Sequence, residues 1–150
     1  MSKNSRLINT RDAFGLLFLV SNAIEIIADK HLSPYKITTK QFFLSLILIQ
    51  NQKAALTISK AASLLGTSRQ NTKQLALKLE KIGFCKIIPN ENDKRILNIE
   101  ITSKNIDFWK RIDKENQAFL KKTFENLSDQ DISSLKEGLI KLYNQIQEEK

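Results

Sequence analysis

Amide and basic side chains are concentrated in one stretch of the chain, residues 68–81, which contains a single acid. Arg and Lys bind phosphates or guanine, and Gln and Asn can form paired hydrogen bonds with an adenine edge. A helix N-terminus at Ser68 adds a hydroxyl and main-chain amides that suit a phosphate. The stretch therefore predicts a nucleic-acid-binding surface, the alternative being a plain solvated helix face. Its predicted contact residues are Ser68, Arg69, Gln70, Asn71, Lys73, Gln74 and Lys78.

A second basic group, Asp93-Lys94-Arg95, follows about a dozen residues later in a turn-rich segment. An arginine at a hairpin tip can enter a narrow, A·T-rich minor groove. Because phosphate would repel Asp93, its predicted role is to orient Arg95 through a charge-assisted hydrogen bond. The alternative is an ordinary solvated hairpin.

Two short helices and a hairpin must position these groups. Thr57 caps a first helix that ends at Gly66, and Ser68 caps a second whose inward stripe is Thr72, Leu75, Leu79 and Ile82. After Gly83 the apolar period falls to two over residues 84–88 and 97–101, with turn residues between them. This order of elements predicts a winged helix-turn-helix.

Helices are also predicted on both sides of this core. Residues 7–32 form a first, largely buried helix, and a capping box at Thr38 opens a buried helix to Gln50. Thr102 is predicted to cap one long helix to about Glu125. The last helix carries a narrow apolar seam that suits packing against another helix, made of Ile132, Leu135, Leu139, Leu142 and Ile146. The predicted fold class is mainly α, or α+β with a small β-hairpin wing.

The positive charge is confined to part of the chain. Of the net charge of +8, residues 1–102 hold 15 Lys and Arg against 7 Asp and Glu, whereas residues 103–150 hold nine of each. A surface that meets a polyanion explains this segregation, although a basic protein without a nucleic-acid partner is the alternative. The single cysteine excludes an internal disulfide and fits a reducing compartment.

The apolar run at residues 13–20 resembles the core of a signal peptide. Asp12 lies beside it, and Asn22 and Glu25 interrupt the apolar stretch well short of the ~20 residues that a membrane span needs. We therefore expect a helix of a cytoplasmic protein, with no membrane partner.

Other reactive side chains give no second site. Cys85 lies in an apolar strand, where a thiol without a cationic neighbour is inert. His31 alone cannot form a metal site. Phe108, Trp109 and Phe119 at helical spacing are expected in a core or a dimer contact. No nucleophile, base and orienter come together, so we expect no catalysis, cofactor or metal.

The chain from Thr38 to Asn105 resembles the MarR family of bacterial regulators. The resemblance is carried by residues 57–72, by Leu79-Glu80-Lys81-Ile82-Gly83-Phe84, and by Asp93 and Arg95, ten and twelve residues after Gly83. Two departures are Ile87 and Ile88, where relatives often carry basic residues. Another is Asn105, which replaces a frequent Gly and is expected to be a minor change if the residue is already helical.

The resemblance implies a homodimeric repressor that binds double-stranded DNA at a pseudo-palindromic operator and is released by a small-molecule effector. It implies one domain over 1–150, with a winged core at about 36–102 and dimerisation helices at about 7–32 and 103–148. Phe14 and Leu17 would join the apolar seam in the dimer interface. Lys86 and Lys94 would make the contacts between the wing and the DNA backbone. The alternative is a winged-helix protein-interaction module that binds no DNA.

Overall fold

The computed structural model describes residues 3–52 and 55–149. The chain divides into two compact units, one up to Trp109 and one from Lys110 onward. In the first unit the order is α1 (Lys3–Leu32), a 3-10 turn (Ser33–Tyr35), α2 (Thr39–Gln50), β1 (Leu56–Thr57), α3 (Ile58–Leu65), α4 (Arg69–Lys81), β2 (Cys85–Pro89) and β3 (Leu97–Ile101). Helix α5 (Ser103–Arg111) crosses the division, and α6 (Asp113–Thr123) and α7 (Asp129–Glu148) complete the chain.

Helix α2 lies at the centre of the first unit. The predicted capping box is confirmed. The Thr38 hydroxyl accepts a hydrogen bond from the Gln41 main-chain N–H at 3.3 Å, and the Gln41 side-chain oxygen accepts one from the Thr38 main-chain N–H at 2.8 Å. Its buried face is formed by Leu44, Ser45 and Leu48. Phe43, which the apolar pattern placed inside, remains 50% exposed because the helix has apolar residues on more than one face.

The two short helices follow the predicted boundaries. Gly66 ends α3 with φ +66, a left-handed conformation that glycine adopts without steric cost, and Ser68 caps α4. The buried stripe of α4 is Thr72, Leu75, Ala76 and Leu79, and Ile82 is half-buried just past its end.

The wing belongs to a three-stranded antiparallel sheet in the order β1-β3-β2. Cys85 pairs with Ile101 and Pro89 with Leu97 in the predicted hairpin, whereas Leu56 of the unpredicted β1 pairs with Ile99. A two-residue strand has too little periodicity to be seen in sequence. Strand β2 therefore forms one edge of the sheet.

Helix α1 is joined to the start of α2 by polar contacts. The Asp29 carboxylate accepts the Thr39 amide at 2.6 Å, and Lys40 lies 3.2 Å from Glu25. The prediction that α1 is largely buried is wrong for the single chain, since Phe14 is 65% exposed and Leu17 36%.

The second unit contains the end of α5, α6 and α7. The single helix predicted from Thr102 to about Glu125 is interrupted at Ile112, which separates α5 from α6. Ser128 caps α7, with its hydroxyl accepting the Asp131 amide at 3.2 Å. None of the helices within residues 3–52 and 55–149 is both long and apolar enough to cross a membrane.

Candidate nucleic-acid interface

One side of α4 is a continuous exposed polar surface. Every residue that the sequence singled out on this helix or at its N-cap lies outside the buried stripe of Thr72, Leu75, Ala76 and Leu79. All seven are exposed: Ser68, Arg69, Gln70, Asn71, Lys73, Gln74 and Lys78. We call this surface, together with the exposed Leu77 and Lys81, the α4 face. It offers four cationic side chains and three amides to a ligand.

Hydrogen bonds at the N-terminus of α4 hold two of these residues in place. The Ser68 hydroxyl accepts the Asn71 amide at 3.1 Å, and the Asn71 side chain donates to the Thr67 hydroxyl at 2.9 Å. Asn71 therefore stabilises the turn between α3 and α4, and its side-chain oxygen is the acceptor it can still offer.

The wing tip presents a preorganised arginine. Asp93 accepts from Arg95 Nε at 3.0 Å and from Nη2 at 3.1 Å, which is the predicted contact, and it also accepts the Arg95 main-chain amide. These hydrogen bonds, the side-chain ones first, lower the pKa of Asp93 below its ordinary value. The Arg95 side chain is nonetheless 91% exposed, so the guanidinium is oriented while remaining accessible.

Asn90 organises the same tip, and sequence reasoning did not single it out. Its side-chain oxygen accepts the main-chain amides of Asn92 and Asp93, and its nitrogen donates to Asn98. An Asn side chain bonded to the amide two residues on is an Asx turn, a signal that was present in the sequence. Lys94 is exposed in this tip, and Lys86 is exposed on β2 opposite Glu100 of β3.

The one acid of α4 is engaged by the wing. Glu80 accepts the Ile87 main-chain amide at 2.7 Å, joining the end of α4 to strand β2. This contact is invisible in the sequence, where Glu80 is simply an acid in a basic helix.

The end of α4 is also held by the start of α5. Thr102 donates its hydroxyl to the Gly83 oxygen at 2.7 Å, and Lys104 donates to the Ile82 oxygen at 2.7 Å. Asn105, with none of its surface exposed, donates to the Phe84 oxygen at 3.1 Å and to the Ser45 hydroxyl at 3.2 Å. Asn105 is helical, as the expectation of a minor change required, and its side-chain amide in addition bridges three elements.

Cys85 and His31 lie apart from the α4 face. Cys85 is buried and donates its thiol to the Ala76 oxygen at 3.3 Å. Burial, reinforced by the nearby Glu80 carboxylate, raises the pKa of the Cys85 thiol to about 12. His31 is half-buried near the end of α1. Within the described residues no three His, Cys, Asp or Glu side chains cluster as a metal site would require.

A cavity of about 570 Å³ lies within the first unit, bordered by α1, α2, α3 and α4. More of its wall is apolar than polar, and the polar lining residues are Ser21, Glu25, Thr39, Lys40, Thr67 and Asn71. Asn71 therefore belongs both to the cavity wall and to the α4 face. The apolar lining consists of Ile24, Phe43, Ile47, Leu64, Leu65 and Leu75.

The predicted dimer residues are exposed in the single chain. Phe14 and Leu17 lie on α1, and the seam of α7 consists of Ile132, Leu135, Leu139, Leu142 and Ile146, each 39–44% exposed. These are large apolar areas for a helix surface in contact with water.

The chain is similar to several proteins that are named as transcription regulators. No family model matches the chain. It is 28% identical over 96 residues to an uncharacterised HTH-type transcriptional regulator, YfiV, of Bacillus subtilis, with 64% of this chain and 60% of that protein covered. It is 31% identical over 71 residues to the transcriptional repressor MprA of Escherichia coli, with 47% and 40% covered. The chain thus spans about three fifths and two fifths of these relatives' lengths.

Solved structures match over most of the chain. A MarR-like regulator from Bacillus cereus superposes with a TM-score of 0.75 at 22% identity, covering 92% of this chain and 98% of that one. A MarR protein from Peptoclostridium difficile gives 0.77 at 22%, covering 92% and 89%. Reduced MarR from E. coli gives 0.72 at 20%, covering 85% and 93%.

Proposed function

We propose that this chain, which has the winged-helix fold of the MarR-family regulators, is a dimeric, sequence-specific DNA-binding transcription regulator. The observation that carries the proposal is the α4 face, together with the Asp93–Arg95 tip of the hairpin that follows it directly. Both present cationic or amide groups: the Glu80 carboxylate is turned to the Ile87 amide and Asp93 pairs with Arg95, which leaves Glu91 as the exposed acid of the tip.

In the proposed complex α4 lies in the major groove. Gln70 and Gln74 are suited to adenine edges, and Arg69 to a guanine or a phosphate. Lys73, Lys78, Lys86 and Lys94 would neutralise backbone phosphates, and Arg95 would enter the adjacent minor groove. The Ser68 end of α4 adds main-chain amides for one phosphate.

The homodimer is the second part of the proposal. The exposed apolar residues of α1 and α7 support it, since water would be excluded from them by a second copy. Two copies related by a twofold axis would read two half-sites of a pseudo-palindromic operator. We propose repression, as the name of MprA states for that relative, and action in the cytoplasm.

Release by a small ligand is the third part. The cavity beside Asn71 supports it, because an occupant would contact a residue of the α4 face directly. Its mostly apolar wall with a few polar groups is typical of a site for a small organic molecule.

The experiment is fluorescence anisotropy with a labelled duplex from the promoter beside this protein's own gene. We expect steep salt dependence. Arg69→Ala, Lys73→Ala and Arg95→Ala should each weaken binding by about 1–3 kcal/mol. Lys121→Ala, an exposed change of equal charge on α6, is the matched control. Unchanged affinity in all three variants would overturn the assignment, and no salt-sensitive binding at all would favour the protein-interaction module.

A further inference from the structure

We infer that Glu80 is a positioning residue that fixes the wing to α4, so that Arg95 and the α4 face meet DNA as one rigid surface. The inference rests on the proposed function. It starts from the contact between the Glu80 carboxylate and the Ile87 main-chain amide, 2.7 Å apart.

Several hydrogen bonds join α4 to the wing, and Glu80 makes the outermost. Close to the helix end, the Phe84 amide donates to the Leu79 oxygen at 2.8 Å, and Cys85 donates to the Ala76 oxygen at 3.3 Å. The bond from Glu80 reaches two residues farther along β2, to Ile87. Among the described residues no hydrogen bond from α4 reaches closer to the tip, so this contact sets the direction in which the hairpin leaves the helix.

The position of Ile87 in the sheet explains why an acceptor is needed there. Strand β2 is an edge strand, and the amide that Ile87 gives to Glu80 points away from β3. Residue 89, the next with its nitrogen on that edge, is a proline and has no N–H. Ile87 is therefore the last donor on this edge by which α4 can hold the wing before the tip.

Charge gives the independent argument. Glu80 is the only acid between Ser68 and Lys81, where four basic residues stand. For binding a polyanion an acid there is unfavourable, since it repels phosphate. A carboxylate is, however, a stronger acceptor for a main-chain amide than a neutral group. Loss of the Glu80 charge should thus strengthen DNA binding, whereas loss of its contact with the wing should weaken it.

The test compares Glu80→Gln, which keeps an acceptor oxygen without the charge, with Glu80→Ala, which loses both. Electrostatics alone predicts tighter DNA binding by both variants. Positioning predicts that Glu80→Gln binds as well as or better than the unchanged protein, whereas Glu80→Ala binds roughly tenfold more weakly. Glu80→Met, with similar volume and helix propensity but no oxygen, is the second variant should Glu80→Ala be poorly folded.

A further readout separates positioning from general destabilisation. Arg95→Ala and Lys73→Ala are each introduced into the unchanged protein and into Glu80→Ala. We expect Arg95→Ala to cost less DNA affinity in the Glu80→Ala background, because the wing is no longer held where Arg95 can reach the DNA. The loss of affinity caused by Lys73→Ala should be the same in both backgrounds. Hydrogen exchange of the Ile87 amide should accelerate in Glu80→Ala and not in Glu80→Gln.

Two outcomes would overturn the inference alone: tighter DNA binding by Glu80→Ala, or an equal Arg95→Ala loss in both backgrounds. Failure of the unchanged protein to bind any duplex would overturn the proposed function, and this inference with it.

Discussion

Asn105 of α5 donates its side-chain amide to Ser45 of α2 at 3.2 Å, across sixty positions of the chain and with no surface of either residue exposed. The same nitrogen donates to the main-chain oxygen of Phe84, which directly precedes β2. One buried amide thus joins the central helix, the turn before the wing and the helix that leads out of the unit.

Replacing Asn105 by Ala should lower the free energy of unfolding by about 1–3 kcal/mol, because the buried Ser45 hydroxyl and Phe84 oxygen would both lose a partner. Chemical denaturation followed by circular dichroism measures the change. Asn92→Ala, in the exposed wing loop, is the control and should alter stability little. An unchanged midpoint for Asn105→Ala would show that water replaces the bridge without loss.

Cys85 should be inert in the native protein. With a thiol pKa of about 12, a negligible fraction is thiolate near neutral pH, and the side chain is 1% exposed. We expect no reaction with iodoacetamide under native conditions and complete reaction in guanidinium, as followed by mass spectrometry. DNA binding should also survive mild peroxide treatment. Rapid native alkylation would contradict the packing of β2 against α4.

Stability should depend on pH through Asp29. Hydrogen bonding to the Thr39 amide is the main cause that holds the pKa of Asp29 below its ordinary value of 3.8, and the nearby Lys40 adds to it. The stabilisation is therefore fully present above that value and is lost as the pH falls through the lower native pKa. Asp29→Asn should flatten the acid limb of the stability curve.

The control for this measurement is Asp12→Asn, on an exposed part of α1. It should leave the acid limb as steep as in the unchanged protein. Equal flattening by both substitutions would mean that net charge, and not the contact with Thr39, governs the acid response.

Self-association should depend on the α7 seam. Sedimentation equilibrium should give a dimer at micromolar concentration, and Leu139→Glu should shift it toward monomer by placing a charge in an apolar contact. Lys136→Glu, exposed on the same helix outside the seam, is the control, and it introduces a larger change of charge. A monomeric unchanged protein would contradict the proposed interface.

Local features of this chain were predictable because their signals lie within a few residues. The capping box at Thr38, the turn at Gly66, the exposed side of α4 and the Asp93–Arg95 pair each span four positions or fewer, or follow a helical period. For these features the residue types and their spacing nearly determine the contact.

Features that depend on distant partners were not predictable. Strand β1 is defined only by its pairing with Asn98 and Ile99 of β3, and Asn105 contacts Ser45 only after the core has formed. The interruption of the helix at Ile112 has no Gly or Pro nearby that would predict it, and the apolar residues continue on both sides. Glu80 shows the same limit at the site itself, since its role follows from where the hairpin folds back.

The edge position of β2 has one further consequence. An unpaired strand edge can recruit a strand from another molecule and start aggregation. Along the outer side of β2 the Ile87 amide is already taken by Glu80, and Pro89 has none to offer. The outer edge of this basic hairpin therefore offers few main-chain N–H groups to a strand of another molecule, which lowers the risk of aggregation while the hairpin stays exposed for its ligand.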